Sequence, residues 1–305
     1  MKISKLIITI QTFLFIIFFA VLSAYAQDNT VIYEPKYDYA KLNTGINIAY
    51  VTLGDKKNTP IVLIHGVTDT FLSFSQVAPV LEKAGFYVII PELRGHGKTD
   101  KPKKGPYTIE QHTADINALL DKLEIKKAHV TGHSLGSFIA QNLAVKNPDK
   151  VSSLILIGSA ASLEGNPTLA WLLEGDADFP GINKLKSLTD DFLTDWTASS
   201  NYDPVFVKKT FDNAKNLPLY AWVYAFNGIS LNPENLPKIK VPVEIIWGTQ
   251  DTFFPIKDQL ELIEKLGSDH IIFIKKEGAS HNTHWEGKLG EEVANDIANF
   301  VRTVK

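Results

Sequence analysis

One serine lies in a setting that suits a nucleophile. Ser134 stands in the segment VTGHSLGS, midway between Gly132 and Gly136 and just after a short apolar run. A serine hydroxyl is a poor nucleophile at neutral pH and needs a base within hydrogen-bond distance, which a third group must orient. Glycine two residues to either side removes side chains that would collide with a neighbouring strand and helix. Ser134 is therefore a candidate nucleophile; the alternative is a serine in an ordinary tight turn.

Candidates for the acid and the base follow two later apolar runs. Asp251 lies in EIIWGTQDTFFP, whereas His281 and His284 lie in GASHNTHWE. The aspartate could instead cap a helix or turn, and either histidine could be packed or exposed. A base must lie at the start of the loop after the last strand, HIIFIKK, which favours His281. His284, next to Trp285 and Glu286, is expected to be packed and hydrogen-bonded.

The same segments carry the residues for a possible metal site and for an oxyanion site. The spacing of His281 and His284 could suggest metal ligands, but no H-E-x-x-H pattern supports one, so no metal is predicted. A helix that starts at Leu135 would aim free N–H groups at a developing oxyanion. The second donor is expected from LIHGVTDT, where Gly66 would let the Val67 N–H point inward.

Alternating strand and helix patterns must position these residues. Apolar runs separated by helical segments predict a parallel sheet that is covered on both faces. The predicted strands are INIAYVTLG, PIVLIHG, FYVIIPE, KAHVTG, VSSLILIGSA, VEIIWG and HIIFIKK. The helix over TIEQHTADINALLDKLEI is expected to begin with a capping box formed by Thr108 and Gln111. Ser134 then falls between a predicted strand and a predicted helix.

The alternation stops between residues 162 and 237. This stretch contains no strand pattern and is rich in aromatic residues, including Trp196 and Trp222. It is predicted to be a helical cap inserted into a core domain formed by residues 27–161 and 238–305. Most of its aromatic side chains are expected to fill the cap's own core, while Trp196 and Trp222 are the candidates for substrate contact.

The N-terminus has the pattern of an export signal. Two lysines precede the apolar run FLFIIFFAVL, and SAYA places small residues at Ala24 and Ala26. Residues 1–26 are predicted to be a signal peptide, so that the mature chain begins at Gln27 and is periplasmic or secreted. The alternative is an uncleaved membrane anchor over Leu6–Ala26.

Composition excludes several classes of function. A hydrophobic fraction of 45% predicts a substantial core. A formal charge of −3 offers no basic surface, so neither nucleic acid nor a stable membrane association after cleavage is predicted. Because the chain has no cysteine, it has neither a thiol nucleophile nor a disulfide framework. The oligomeric state stays open.

Taken with these motifs, the chain resembles the α/β-hydrolases, in particular the capped esterase, lactonase and haloperoxidase-like group. The resemblance rests on LIHGVTDT, PELRGHGKTDKP, GHSLGS, WGTQDTFFP and GASHNTHWE, and it covers nearly all of the chain after the leader. It implies the α/β-hydrolase fold, a mostly parallel central sheet with helices on both faces and a helical cap. It also implies Ser134 as nucleophile, Asp251 as acid, His281 as base, and the amides of Val67 and Leu135 as the oxyanion hole.

The chain departs from the family pattern in two places, one before the candidate base, where relatives often have Gly-His and this chain has Ser280-His281, and one in the loop PELRGHGKTDKP. Relatives commonly have Asp and Ser where this chain has Glu92 and Thr99. Both changes are conservative, and the loop is interpreted as structural. Its Arg94 and His96 are expected to fasten the loop and not to act in catalysis.

The type of nucleophile narrows the reaction that the resemblance implies. Relatives that open epoxides or remove halide carry aspartate at the position of Ser134, so both reactions are disfavoured. Hydrolysis of a carboxylic ester or lactone of a small, largely apolar molecule through an acyl-serine is the leading hypothesis, and it needs no cofactor. Haloperoxidase-like perhydrolysis and carbon–carbon bond hydrolysis use the same triad and remain alternatives. A ligand-binding or sensing protein on the same fold is the alternative that is not an enzyme.

Overall fold

The computed structural model describes residues 35–197, 203–285 and 288–304, with the side chains of residues 195–197 left out. The predicted signal peptide and its cleavage site therefore lie outside the described residues, as does the side chain of Trp196. In the described part, no helix is both long enough and apolar enough to span a membrane.

In the described part of the chain, eight strands form one sheet in the order β1-β2-β4-β3-β5-β6-β7-β8. Their bounds are β1 (Asp38–Lys41), β2 (Asn47–Leu53), β3 (Pro60–Ile64), β4 (Tyr87–Pro91), β5 (Ala128–His133), β6 (Val151–Ile157), β7 (Val243–Gly248) and β8 (Ile271–Lys276). The pairs β1–β2 and β2–β4 are antiparallel, and the other five pairs are parallel. The predicted parallel sheet is confirmed, and β1 and β2 extend it as an antiparallel edge.

The described helices are α1 (Ala78–Lys83), α2 (Ile109–Lys122), α3 (Leu135–Lys146), α4 (Pro167–Glu174), α5 (Asp190–Thr197), α6 (Pro204–Lys215), α7 (Leu219–Asn227), α8 (Ile256–Lys265) and α9 (Lys288–Thr303). Among them, α1 to α3, α8 and α9 alternate with strands, whereas α4 to α7 follow one another between β6 and β7. Half of the predicted capping box is present at the start of α2, since the Gln111 N–H donates to Thr108 Oγ1 at 3.3 Å. The Gln111 side chain donates to Asp115 Oδ1 at 3.1 Å, so the reciprocal contact of the box is replaced. The architecture is the α/β-hydrolase fold that the sequence predicted.

The centre of the sheet is buried on both faces, which explains the continuous apolar runs. All six residues of β5 are buried, and β5 lies between β3 and β6. Helix α3 packs on this strand through Phe138, Ile139 and Leu143, which belong to the main hydrophobic cluster. The turn that joins β5 to α3 is thus held on both sides by rigid elements, and Ser134 lies in that turn.

The helical insertion lies between β6 and β7. It contains α4 to α7 and, among its described residues, no strand. A separate hydrophobic cluster forms inside it from Leu172, Ile182, Leu193, Ala214, Leu217, Trp222 and Phe226. Because both β6 and β7 belong to the parallel part of the sheet, the insertion begins at the carboxyl end of β6, the end where parallel α/β sheets bind ligands.

Candidate active site

Ser134 occupies a strained backbone conformation between β5 and α3. Its φ and ψ are 49° and −119°, a combination that non-glycine residues rarely adopt. The two flanking glycines make this turn possible, because a Cβ on Gly132 would collide with the Gly136 carbonyl and one on Gly136 with the Ile64 carbonyl. The turn has the form expected of a nucleophile elbow, which lifts a hydroxyl clear of the backbone.

Asp251 and His281 form a hydrogen-bonded pair. Asp251 Oδ2 lies 2.9 Å from His281 Nδ1. The other carboxylate oxygen, Oδ1, accepts the backbone N–H groups of Phe253 at 2.8 Å and Phe254 at 3.0 Å. With three hydrogen bonds and 4% exposure, this carboxylate has one orientation. It holds the imidazole by Nδ1 and leaves Nε2 for a second partner.

One cavity is lined by both Ser134 and His281, the candidate nucleophile and the candidate base. Its volume is about 110 Å³, several times the space that one water needs. Apolar side chains from the sheet loops and from the helical insertion form most of the wall, among them Phe138, Leu172, Phe226, Ile229 and Phe254. Such a space suits a small organic molecule with a largely apolar body.

The candidate oxyanion donors belong to two segments close to Ser134, the loop after β3 and the start of α3. Val67 lines the cavity, and the loop before it is close, since a Cβ on Gly66 would lie 3.4 Å from Ser134 Cβ. Leu135 opens α3, where the N–H groups of the first turn have no intrahelical acceptor. Among the described residues, neither the Val67 nor the Leu135 N–H has a hydrogen-bond acceptor. Both amides are therefore available as donors, and of the two residues Val67 lines the cavity whereas Leu135 follows the lining residue Ser134 directly.

The loop after β4 braces the candidate oxyanion loop. His96 Nε2 accepts the Thr68 N–H at 3.0 Å, and its Nδ1 lies 2.9 Å from the Arg94 carbonyl. Burial lowers the pKa of His96 to about 4, so the ring is neutral and can accept at Nε2. Arg94 is itself tied to both carboxylate oxygens of Asp115 at 2.8 Å. These contacts agree with the interpretation of Arg94 and His96 as fasteners.

His284 is packed behind the site. The ring is fully buried, its Nε2 lies 2.9 Å from Ser73 Oγ, and the same hydroxyl accepts Trp285 Nε1–H at 3.0 Å. Burial lowers the pKa of His284 to about 3, and the nearby His281 adds to that shift. The ring is therefore neutral at ordinary pH. His284 does not line the cavity, in contrast to His281.

Trp222 was expected to contact substrate, but the structure places it away from the cavity surface. Its side chain is fully buried in the cluster of the helical insertion, and it is not among the described residues that line the cavity. The ring packs against Phe226, with centroids 6.1 Å apart, and Nε1 donates to the Ala214 carbonyl at 3.4 Å. Since Ala214 and Phe226 do line the cavity, Trp222 lies one layer behind its wall.

Trp222→Ala is expected to act mainly on stability. Loss of a buried tryptophan should lower the free energy of unfolding by about 3–5 kcal/mol. Because the wall in front of it would loosen without losing a specific contact, kcat/KM for acetate esters and for bulky apolar esters should fall by similar factors. Urea titration and kinetics on the two ester classes measure both effects. A loss confined to bulky esters would show that Trp222 contacts substrate.

Sequence reasoning missed several residues of the cavity wall. Asp69 and Trp285 line it, as does Thr210 of α6. Asp69 stands in the segment LIHGVTDT, two residues after Val67. Its closeness in sequence to the candidate oxyanion loop is the feature that could have indicated a place in the cavity wall. No group of three or more His, Cys, Asp or Glu side chains in the described part of the chain is arranged to hold a metal ion.

A mostly parallel sheet that presents a serine at the turn after a central strand, with an aspartate–histidine pair from later loops, defines the class of α/β-fold hydrolases. Residues 59–288 match the family model described as alpha/beta hydrolase fold, and the chain belongs to that family. It is accordingly a hydrolase.

Two relatives match across about three quarters of the chain. Lipase 1 of Psychrobacter immobilis is 29% identical over 245 residues, which are 74% of this chain and 72% of the lipase. The 2-hydroxy-6-oxononadienedioate/2-hydroxy-6-oxononatrienedioate hydrolase of Cupriavidus pinatubonensis is 27% identical over 252 residues, or 74% of this chain and 81% of that enzyme. The two names describe different hydrolytic reactions.

Solved structures share the fold. The enol-lactonase from Burkholderia xenovorans LB400 superposes with a TM-score of 0.70 at 24% identity, covering 87% of this chain and 100% of the lactonase. At that identity the likeness concerns the fold alone.

Proposed function

We propose that this chain is a serine hydrolase that cleaves a carboxylic ester or lactone of a small, largely apolar molecule through an acyl-serine intermediate. The observation that carries the proposal is the Asp251–His281 hydrogen bond of 2.9 Å at a cavity whose wall also holds Ser134. Nucleophile, base and orienting acid are each supplied by a different loop of the rigid sheet.

The geometry suggests the following sequence of steps. Ser134 Oγ attacks the substrate carbonyl carbon while His281 Nε2 takes the hydroxyl proton, and Asp251 stabilises the resulting imidazolium. The N–H groups of Val67 and Leu135 bind the tetrahedral oxyanion. When the intermediate collapses, His281 returns the proton to the leaving alkoxide, which departs as the alcohol. Water, deprotonated by His281, then releases the acid and restores Ser134.

Carbon–carbon bond hydrolysis is the second candidate, because one relative is named as a hydrolase of 2-hydroxy-6-oxononadienedioate, a name that contains a ketone but no ester or lactone. Its named substrate is a dioate, a doubly charged molecule. The described residues that line the cavity include no lysine and no arginine, the side chains that pair with carboxylates. This lining favours an uncharged ester or lactone over a dioate.

The proposal is tested with a fluorophosphonate and a substrate panel. The full-length protein is expected to take up one phosphonyl group per chain, on Ser134, with parallel loss of activity toward p-nitrophenyl esters and lactones. Peptide mapping by mass spectrometry locates the adduct. Ser137 is the internal control, since its hydroxyl donates to the Ser134 carbonyl at 2.6 Å and does not line the cavity.

Two results would reject this proposal. One is an adduct on a serine other than Ser134. The other is turnover of a vinylogous diketone substrate together with no turnover of any ester or lactone, which would favour the carbon–carbon bond hydrolase.

A further inference from the structure

The imidazole of His281 lies against the ring of Phe253. The two ring centroids are 4.8 Å apart and the ring planes meet at 31°, closer to parallel than to perpendicular. At this distance the rings overlap face to face with an offset, because rings that lie side by side in one plane are more widely separated. The base therefore rests on an aromatic face, the part of a π-system that carries partial negative charge.

The backbone of Phe253 is fixed from two sides. Its N–H donates to Asp251 Oδ1 at 2.8 Å, on the carboxylate whose Oδ2 lies 2.9 Å from His281 Nδ1. Its carbonyl accepts Asn166 Nδ2–H at 2.8 Å, and Asn166 Oδ1 in turn accepts the Leu169 N–H in the first turn of α4. One carboxylate thus holds both the imidazole and the residue that carries the phenyl ring, while the helical insertion holds that residue from the other side.

Two further histidines near His281 are neutral. The His133 ring centroid lies 4.9 Å from that of His281, and His133 Nε2 is 3.3 Å from the His281 carbonyl. Burial lowers the pKa of His133 well below its usual range, and the nearby His284 and His281 add to the shift. Burial likewise keeps His284 neutral. A protonated His281 is therefore favoured by the Asp251 carboxylate and the Phe253 face, and no charge on these two histidines opposes it.

Protonation of His281 strengthens its contact with Phe253. In the proposed reaction the imidazole becomes an imidazolium each time it takes a proton, first from Ser134 and then from water. A cation within about 6 Å of an aromatic centroid is attracted to the ring face, whereas a neutral ring gains much less. The contact is therefore stronger while the proton is on His281 than in the resting enzyme, which is the condition for raising kcat.

We propose that Phe253 is a positioning residue for the base: its ring face orients the His281 imidazole and stabilises the imidazolium that forms when His281 takes the Ser134 proton. This proposal rests on the proposed function above. It gives Phe253 a part in the reaction beyond that of an apolar residue in the cavity wall.

A fluorination series at position 253 tests the ring face. Phenylalanine that carries one, two or three ring fluorines keeps nearly the same shape, while the negative charge of the ring face decreases with each fluorine. For the full-length protein, kcat on p-nitrophenyl acetate is expected to fall stepwise, by about threefold or more over the series, with a smaller change in KM. Equal kcat values across the series would overturn the proposal.

Two controls accompany the series. Phe86 carries the Arg302 guanidinium 5.6 Å from its ring centroid and does not line the cavity, so the same fluorines at Phe86 should leave kcat unchanged. The second control is p-nitrophenyl hexanoate, which should show the same dependence on fluorine at position 253 as the acetate, because Phe253 acts through His281. A decline confined to the longer ester would show that Phe253 contacts substrate instead, and would overturn the proposal.

Phe253→Leu removes the ring face and keeps apolar bulk. Its kcat on both esters should fall by about 2- to 30-fold, the range of a cation on an aromatic face, with a smaller change in KM. Steady-state kinetics measure both constants. A variant with the kcat of the wild type would show that the ring face contributes nothing to the reaction.

The rate of fluorophosphonate labelling separates this proposal from the proposed function. Phosphonylation of Ser134 also requires His281 to take the hydroxyl proton, but it requires no turnover of an ester. If the wild type labels at Ser134 and hydrolyses no ester or lactone, the proposed function fails, whereas labelling should still slow along the fluorine series at Phe253. If the wild type hydrolyses esters and neither rate depends on fluorine, the inference about Phe253 alone fails. An unlabelled Ser134 would reject both.

Discussion

Ser134→Ala is expected to lower kcat on any ester substrate by about 10³-fold or more and to abolish the fluorophosphonate adduct. The reason is that alanine removes the attacking oxygen while the Asp251–His281 pair, the cavity and the N–H groups of Val67 and Leu135 stay in place. Residual turnover would come from binding and oxyanion stabilisation alone. Steady-state kinetics and intact mass after labelling measure the two effects.

Ser137→Ala is the matched control for that variant. Ser137 lies in the first turn of α3, buried and away from the cavity lining, where its hydroxyl donates to the Ser134 carbonyl at 2.6 Å and contacts Ser159 Oγ at 2.7 Å. Its loss should lower stability more than kcat. If Ser134→Ala kept turnover within about tenfold of the wild type, Ser134 would not be the nucleophile.

The strained backbone at Ser134 lowers the stability of the folded protein, so relieving the strain by substitution should raise it. At φ 49° and ψ −119°, a residue with a Cβ stores about 1–3 kcal/mol, whereas glycine adopts the conformation freely. The free energy of unfolding of Ser134→Gly should therefore exceed that of Ser134→Ala by about 1 kcal/mol, after the greater unfolded-state entropy of glycine is subtracted. Ser134→Gly should accordingly unfold at a higher urea concentration. Both variants should be inactive. Equal stability would mean that the turn relaxes when the serine is removed.

The sequence allowed the main residues of the site to be predicted because each follows a strand of recognisable pattern. Ser134 comes after β5, Asp251 after β7 and His281 after β8, and parallel strands bring their carboxyl ends to one edge of the sheet. The antiparallel edge strand β1 was not predicted. Its four residues, DYAK, carry too little apolar pattern to be recognised without the partner strand β2.

Side-chain direction inside the helical insertion could not be predicted in the same way. Helix α7, LYAWVYAFN, is apolar on most of its surface, so periodicity does not tell which residues face the cavity. Packing decides that Phe226 reaches the wall while Trp222 stays behind it. Asp69 was not predicted to line the cavity because a polar residue in a loop is usually solvated. Its burial depends on contacts from segments that are distant in the sequence.

His281 and His284 differ in one structural respect that predicts opposite phenotypes. His281 lines the cavity and is held by Asp251, whereas His284 is enclosed and bonded to Ser73. His281→Ala should therefore lower kcat by about 10³-fold or more. It should lower the free energy of unfolding less than His284→Ala does, because His281 borders a cavity whereas His284 is fully buried.

His284→Ala should show the reverse pattern. Removing the ring leaves a cavity beside Phe74, whose ring centroid lies 4.9 Å away, and takes a partner from the buried Ser73 hydroxyl. The expected cost is about 2–4 kcal/mol in stability, with a loss of kcat well below that of His281→Ala. Urea titrations and kinetics on the same preparations give both quantities for the pair. If His284→Ala lost turnover while His281→Ala kept it, the proton would have to pass to His284, and the Asp251 contact would be structural.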